Sequence, residues 1–498
     1  MAKTKWARLR GLGGACALAF CTPAFAGDAP ANDAGTKAIA DFLAAYLGKA
    51  ALPSVKITAE GSSYLVSFDL GAATAALKGA GVVYDPATMT LRVFQQDDGE
   101  WRVEMASFPP ISAHSDAPAK AGGGKIDIKV ETVNFAQTVW LDPKLNWIGS
   151  IKGGADKLSA TERGPGIEEF FEFGKLKVES STKSAASGLT FDVDEPFASL
   201  NFVVDIDPKG VDPTMKGDGK PVHVSAQGEG GKVAISFKDF QPAPLLDAWK
   251  FAVAHPQRAD LAHDAEALKS VVTALVADHF TLNEAFSLDK LNVASGVGPV
   301  AVEGAAFGAE IVNGGAQSGF AEHFAARAIK LPDGLLPPMY APLTPTSFEI
   351  GFKATGFDVE AAAQEWLADA KFDGDGPVLS QEDQAKVTAK LLGAKPIVVD
   401  VGPAHIGAPS LNLTFEGKVT VVGSKPTGAI TVKMSQVEKT IQALQGMGPE
   451  AQKQLVPVIA MVKGLGKPGA DGALVWVCEL GQDHVMKVNG LPLGKAPF

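Results

Sequence analysis

The chain has 498 residues, of which 45 are basic and 56 acidic, so its formal net charge is −11. An acidic chain repels nucleic-acid phosphates, so nucleic acid is excluded as a partner. The length predicts two or more domains, and the 54 glycines and 32 prolines are typical of many short strands joined by turns.

The N-terminus has the features of a secretory signal peptide. Four basic residues and no acidic residue precede an apolar run at residues 11–26, which ends in a small-x-small sequence at Ala26. The run is shorter than the ~20 residues that a membrane-spanning helix needs. We therefore predict cleavage after Ala26, export to the periplasm and no membrane span afterwards. Loss of residues 1–26 changes the net charge to −15 (−11 − 4) and leaves Cys478 as the single cysteine.

Residues 27–108 predict an N-terminal α+β module. A helix-patterned stretch precedes an alternating hairpin, a short helix-permissive stretch and a second hairpin, whose turn contains Asp98 and Gly99. Asp-Gly between alternating runs is a strong hairpin signal. Residues 109–125 are rich in Pro, Ala and Gly, and they predict a loop or flexible linker that leads to a large β-rich region at 126–498.

Strand-like alternation dominates the region 126–498 and favours antiparallel sheets with one buried face. Steps from strand to helix recur along the whole chain, with a residue suited to helix capping at or near each step: Asp69, Asp239, Asp358 and Ser435. The predicted fold is therefore α+β, with long twisted mainly antiparallel β-sheets covered on one face by short helices, in repeated ββα(ββ) units. The alternative is that strand followed by helix recurs by chance.

The best candidate for a metal site is a degenerate calcium loop at residues 371–382. Asp373, Asp375 and Glu382 occupy positions 3, 5 and 12 of an EF-hand spacing. Lys371, however, stands at the first position, where a carboxylate ligand is expected. The alternative is a plain turn followed by a helix that Ser380 caps. Two further acidic clusters, at 192–196 and 205–208, are interpreted as turn formers beside proline.

Tryptophans suggest a different kind of site. Trp101 and Trp249 lie at positions that strand and helix patterns turn inward. One interpretation is ordinary core packing, and the other is an apolar groove under the sheet, wide enough for an acyl chain. Trp101 and Trp249 are therefore the candidate ligand-binding residues.

The C-terminal segment carries a resemblance. An alternating hairpin at 411–435, a helix at 435–444 and the closing strands that end in Val488-Asn489-Gly490 resemble uncharacterised alphaproteobacterial envelope proteins of unknown function, and distantly the AsmA-type proteins. The resemblance implies a role in envelope lipid homeostasis and transfers no catalytic residue. AsmA-type proteins have a membrane anchor, which this chain lacks once it is cleaved.

These observations lead to three hypotheses of function. The first is a non-enzymatic, extracytoplasmic protein that binds or carries an apolar, lipid-like envelope molecule and needs no cofactor. The second is a structural or assembly partner that binds another envelope protein through sheet edges or an acidic face. The third is a hydrolase, for which no pair of carboxylates stands out in the sequence.

Overall fold

The computed structural model describes most of the chain. The described residues are 30–73, 82–96, 100–117, 124–207, 221–255, 258–296, 298–372, 377–393, 395–423, 425–447, 463–469 and 472–495. The predicted signal peptide and its cleavage site at Ala26 lie outside these residues and stay predictions. No helix in the described part of the chain is both long enough and apolar enough to span a membrane.

Strands make up most of the described structure. The pairings between them in the described residues are antiparallel, so the prediction of a mainly antiparallel sheet is confirmed. The strands are β1 (Val55–Glu60), β2 (Ser63–Asp69), β3 (Val82–Tyr84), β4 (Thr88–Gln95), β5 (Trp101–Met105), β6 (Ile111–Ala117), β7 (Gly124–Val133), β8 (Ala136–Asp142), β9 (Trp147–Gly164), β10 (Ile167–Ala185), β11 (Gly188–Ile206), β12 (Val222–Phe240), β13 (Phe280–Ser295), β14 (Gly298–Val302), β15 (Ala305–Asn313), β16 (Ser318–Arg327), β17 (Ser347–Phe357), β18 (Ile397–Ala408), β19 (Leu411–Val422), β20 (Lys425–Ser435), β21 (Lys467–Pro468), β22 (Leu474–Leu480), β23 (Val485–Val488) and β24 (Leu491–Lys495).

Helices are fewer than strands in the described residues. They are α1 (Asp33–Leu47), α2 (Leu70–Ala73), α3 (Pro242–Ala254), α4 (Arg258–His263), α5 (Ala265–Ala277), α6 (Val359–Asp369), α7 (Gln381–Leu392) and α8 (Val437–Gln445). Three 3₁₀ turns accompany them, at Lys49–Ser54, Gly315–Gln317 and Pro338–Leu343.

The chain divides into two compact units. Unit 1 comprises Met1–Ser225, Ala234–Phe280 and Lys371–Val378, and unit 2 comprises Ala226–Val233, Thr281–Ala370 and Leu379–Phe498. The described part of the predicted N-terminal module, residues 30–108, thus shares its unit with the strands that follow it.

Unit 1 is built on one continuous ladder. Strand β1 pairs with β2, which continues through β4, β5 and β8 to the long strand β9. The other edge of β9 pairs with β10 along most of its length, and β10 pairs with β11. Helix α1 contributes Ile39, Leu43 and Tyr46 to the hydrophobic core of unit 1. The other buried side chains of this core come mainly from these strands.

Unit 2 continues in the same manner. From β15 to β20 each strand pairs with the next one along the chain, and β20 then pairs with β22, which leads to β23 and β24. Strand β13 pairs with both β14 and β15. Antiparallel pairing with one polar face explains why alternation of apolar and polar residues was the dominant pattern in this half of the sequence.

The prediction of a flexible linker at 109–125 is wrong where the structure describes these residues. Strand β6 occupies much of it and pairs with β7, so that Ile111 lies opposite Val130 and Ala117 opposite Gly124. Ile111 and Ala113 are buried, because their side chains alternate with polar ones along β6. The small residues of this segment suggested a linker, but their period-2 alternation satisfies a strand.

Two of the predicted helix caps are confirmed. The carboxylate of Asp69 accepts a hydrogen bond from the Ala72 N–H at 2.9 Å, and Asp358 accepts one from the Ala361 N–H at the same distance. The capping prediction for Ser435 is wrong, because Ser435 is the last residue of β20. Gln436 precedes α8 instead, and its left-handed backbone, with φ 58°, makes the sharp turn out of the strand.

Candidate functional site

Trp101 belongs to the core of unit 1. Its side chain is only 1% exposed and lies 6.4 Å, centroid to centroid, from the ring of Tyr64. Beside it is a cavity of about 30 Å³, lined by apolar side chains from α1 and from strands that include β4 and β5. A space of this volume is comparable to the share of one water molecule in the liquid, so it is too small for an acyl chain.

Trp249 packs at the edge of the same core. It lies on α3, is half-buried, and donates its indole N–H to the backbone oxygen of Tyr46 at 3.0 Å. Tyr46 is near the C-terminus of α1, where carbonyl oxygens lack partners within the helix. The surroundings of both tryptophans therefore favour core packing, the first of the two interpretations, and their role in ligand binding stays a prediction.

The candidate metal loop is described only in part. Asp373 and Asp375 lie outside the described residues, whereas Glu382 is in the first turn of α7 and is largely exposed. Its nearest cation is Lys386, whose Nζ is 3.7 Å from Glu382 Oε1. Among the described residues, no group of three or more His, Cys, Asp or Glu side chains is arranged to hold a metal ion.

The alternative interpretation of this loop is confirmed at its C-terminal end. Ser380 caps α7 by accepting a hydrogen bond from the Asp383 N–H at 3.1 Å. The Ser380 hydroxyl also donates to the Asp383 carboxylate at 2.7 Å. Hydrogen bonds from Lys386 and then from Ser380 lower the pKa of Asp383 to about 2. Ser380 and Asp383 therefore have a clear structural role at the start of α7.

A broad apolar face in unit 2 is the most extensive unusual feature of the described residues. Directly paired residues of antiparallel strands point to the same side of a sheet, so the pairings define its membership. This apolar face consists of Phe307 and Ile311 on β15, Phe320 and Phe324 on β16, Phe348, Ile350 and Phe352 on β17, Val399, Val401 and Ile406 on β18, Leu413, Phe415 and Val419 on β19, Ile430, Val432 and Met434 on β20, and Leu474, Trp476 and Cys478 on β22.

Four side chains of the apolar face, all on β15, β16 and β17, are more than one-third exposed, whereas the members on β18–β22 are half-buried or, at Trp476, buried. Phe320 is 37% exposed, Phe324 40%, Ile350 38% and Ile311 49%. Phenylalanine rings of this face pack on one another: the ring centroids of Phe307 and Phe324 are 5.0 Å apart, and those of Phe320 and Phe352 are 5.8 Å apart. Apolar surface that is left open in this way normally marks a binding site.

The opposite face of the same strands is polar. Lys353 of β17 pairs with Glu310 of β15 at 2.7 Å, and Lys418 of β19 pairs with Asp400 of β18 at 3.0 Å. Water solvates such exposed ion pairs well, so they contribute little to stability. The contrast shows that β15–β20 present one face suited to water and one suited to apolar molecules.

The apolar face is long. From β15 to β22 it crosses six spacings between strands, and at ~4.8 Å each this is roughly 29 Å. The hydrocarbon core of a bilayer is ~30 Å thick, so one acyl chain extends roughly 15 Å. The row of paired apolar residues is therefore longer than one extended acyl chain. Glu322 is directly paired with Ala309 and Phe352, which places one carboxylate within this apolar surface.

Sequence reasoning missed a carboxylate in unit 1. The acidic cluster at 192–196 was interpreted as a turn, but it lies inside β11, so that interpretation is wrong. Glu195 alternates with the buried Phe197 and the half-buried Val193, and burial raises the pKa of its carboxyl. The period-2 pattern of residues 189–197, with Leu, Phe, Val, Glu and Phe on one side, was the signal that could have revealed this position.

Comparisons with known proteins give no family for this chain. No family model, no curated protein and no solved structure matches it. The predicted resemblance to AsmA-type and alphaproteobacterial envelope proteins therefore stays a prediction. What can be stated is the class of fold, a mainly antiparallel sheet structure with an open apolar face in unit 2.

Proposed function

We propose that this protein is a non-enzymatic carrier that binds a lipid-like molecule on the apolar face of unit 2. One observation supports this above all: apolar side chains line paired strands from β15 to β22, and several of them are more than one-third exposed. A bound acyl chain would remove this surface from water, at ~25 cal/mol for each Å² that it covers.

The site of action that we propose is the periplasm, because residues 1–26 have the pattern of a signal peptide. We also infer that the strand-to-helix steps are copies of one ββα unit, whose helices cover part of the sheet. Support for this comes from β12, β17 and β20, each of which leads into a helix after one intervening residue.

The proposal can be tested with a fluorescent phospholipid that carries a short labelled acyl chain. Wild-type protein should bind it and be saturated by it, and the doubly substituted variant Phe320→Asp, Phe324→Asp should lose at least tenfold in affinity. Ala321→Asp is the control, because it adds one negative charge to the same strand but on the polar face, between Glu310 and Lys353. Wild-type protein that binds no labelled lipid, or a control that loses as much affinity as the double variant, would contradict the proposal.

The second candidate function, a partner of another envelope protein, is favoured by β24. This strand pairs with β23, all five of its residues are exposed, and Leu491 and Leu493 are 54% and 52% exposed. An exposed edge strand can add a strand from another chain. Crosslinking from Leu493→Cys in the whole chain, with Cys478 replaced by Ser, should then capture a protein at that edge rather than lipid.

A further inference from the structure

The connection between β16 and β17 exposes an unusual cluster of apolar side chains. Leu335, Leu336, Met339 and Tyr340 are 39%, 42%, 43% and 38% exposed, and they lie within six residues of one another. Single exposed apolar residues are common on protein surfaces, but a contiguous group of large ones marks an interaction site. The only charged residue between residues 331 and 346 is Asp333.

This connection is held in place at its base and near its end. The Ile329 N–H donates to the Thr346 oxygen at 2.8 Å, which closes the connection where it leaves the sheet. The Ser410 N–H donates to the Pro342 oxygen at 2.8 Å, which fastens it to the turn between β18 and β19. Five prolines between residues 332 and 345 restrict the backbone further. The exposed side chains are therefore presented by a constrained backbone, and little ordering entropy is lost when they bind.

The connection also lies at one end of the apolar face. Strand β17 begins at Ser347, and its next residue, Phe348, belongs to that face and pairs with Ile406. The exposed cluster and the apolar face thus belong to one unit and follow each other directly in the chain. At the opposite end of the same strands lies Val422, the last residue of β19.

We propose that residues 335–340 insert into the surface of a lipid bilayer. Leucine and methionine side chains at this density enter the boundary between headgroups and acyl chains, and tyrosine is enriched there because its ring is apolar and its hydroxyl polar. A segment with no basic residue gains nothing from anionic headgroups, and the acidic chain is repelled by them. The partner is therefore a bilayer with zwitterionic headgroups. Insertion requires no ligand on the apolar face, so this proposal is independent of the proposed function.

The test is flotation of the whole mature chain with phosphatidylcholine vesicles. Wild-type protein should float with the vesicles at low and at high salt. The double variant Leu335→Asp, Leu336→Asp should lose at least tenfold in its partition coefficient, because it replaces the apolar surface of two leucines by two charges. Val422→Asp is the matched control: Val422 is 53% exposed, but it lies at the other end of the strands, so its partition coefficient should equal that of wild type.

Circular dichroism should show the wild-type spectrum for every variant. If the double aspartate variant does not fold, Met339→Ser with Tyr340→Ser removes apolar surface without adding charge and should also reduce flotation. Three results would overturn the proposal: wild-type protein that does not float with phosphatidylcholine, flotation that requires anionic lipid and disappears in salt, or an equal loss in Val422→Asp. The first of these would make the cluster a docking surface for a protein.

Discussion

Replacement of Trp101 by alanine distinguishes a structural role of this residue from a role in ligand binding. The side chain is 1% exposed in the core that α1 forms with the strands of unit 1. Truncation of a buried Trp or Phe to Ala costs about 3–5 kcal/mol. An apolar cavity of about 30 Å³ already borders this position, and truncation of the side chain would enlarge it. We therefore expect a loss in the free energy of unfolding of about 4 kcal/mol.

The measurement is urea denaturation followed by far-ultraviolet circular dichroism, with binding of the labelled phospholipid measured in parallel. Trp249→Phe is the comparison, because it keeps an aromatic ring and removes the indole N–H that bonds to Tyr46. Loss of one such hydrogen bond costs about 1 kcal/mol. If Trp101→Ala unfolds with nearly wild-type free energy but no longer binds lipid, the packing argument is refuted and Trp101 is a ligand-binding residue.

Three further predictions concern polar groups, and each can be checked by chemical denaturation across a pH series. Ser380→Ala should lower the free energy of unfolding by about 1 kcal/mol through loss of the α7 cap. The pKa of Asp383 is lowered to about 2, so the stabilisation by its carboxylate should be complete above pH ~4 and disappear as the pH falls toward 2. Asp383→Asn should abolish this pH-dependent loss. The hydrogen bond to Asp264, and then the one to the Phe251 carbonyl, raise the pKa of His255. The His255–Asp264 pair should therefore stabilise the fold below pH ~6.5 and lose its effect as the pH rises through the raised pKa. An unchanged dependence of stability on pH in Asp264→Asn would contradict this. Burial raises the pKa of Glu195, so ionisation of this carboxyl should destabilise the fold as the pH rises above ~4.3. Glu195→Gln should therefore be more stable than wild type at pH 7 but not at pH 4.

The sequence predicted strands better than it predicted what covers them. Alternation of Trp101, Val103 and Met105 indicated the buried side of β5, and the structure buries all three. The same alternation holds for Phe320 and Phe324 on β16, yet these side chains stay partly exposed. Period-2 patterns identify the apolar side of a strand, but whether a helix packs on that side depends on contacts that are remote in sequence.

Composition gave wrong predictions where it disagreed with the alternation of apolar and polar residues. The small residues near Ala113 suggested a linker, and the proline after Glu195 suggested a turn, but both segments continue as strands. Local turn propensity is overridden where the residues on both sides pair with a neighbouring strand, as they do around Glu195 and along β6. Neither candidate role for the tryptophans could be decided from sequence, since a buried core position and a ligand-lining position require the same residue types.

The succession of pairings from β15 to β20 has a consequence for how this part of the chain acquires its structure. Each strand there pairs with the strand that precedes it in the chain, so no pairing has to wait for a later strand, although α6 and α7 separate β17 from β18. Growth of the ladder is then close to one-dimensional, as it is in repeat proteins. Gain or loss of one hairpin in evolution would lengthen or shorten the ladder by about 10 Å and leave the remaining strand pairs intact.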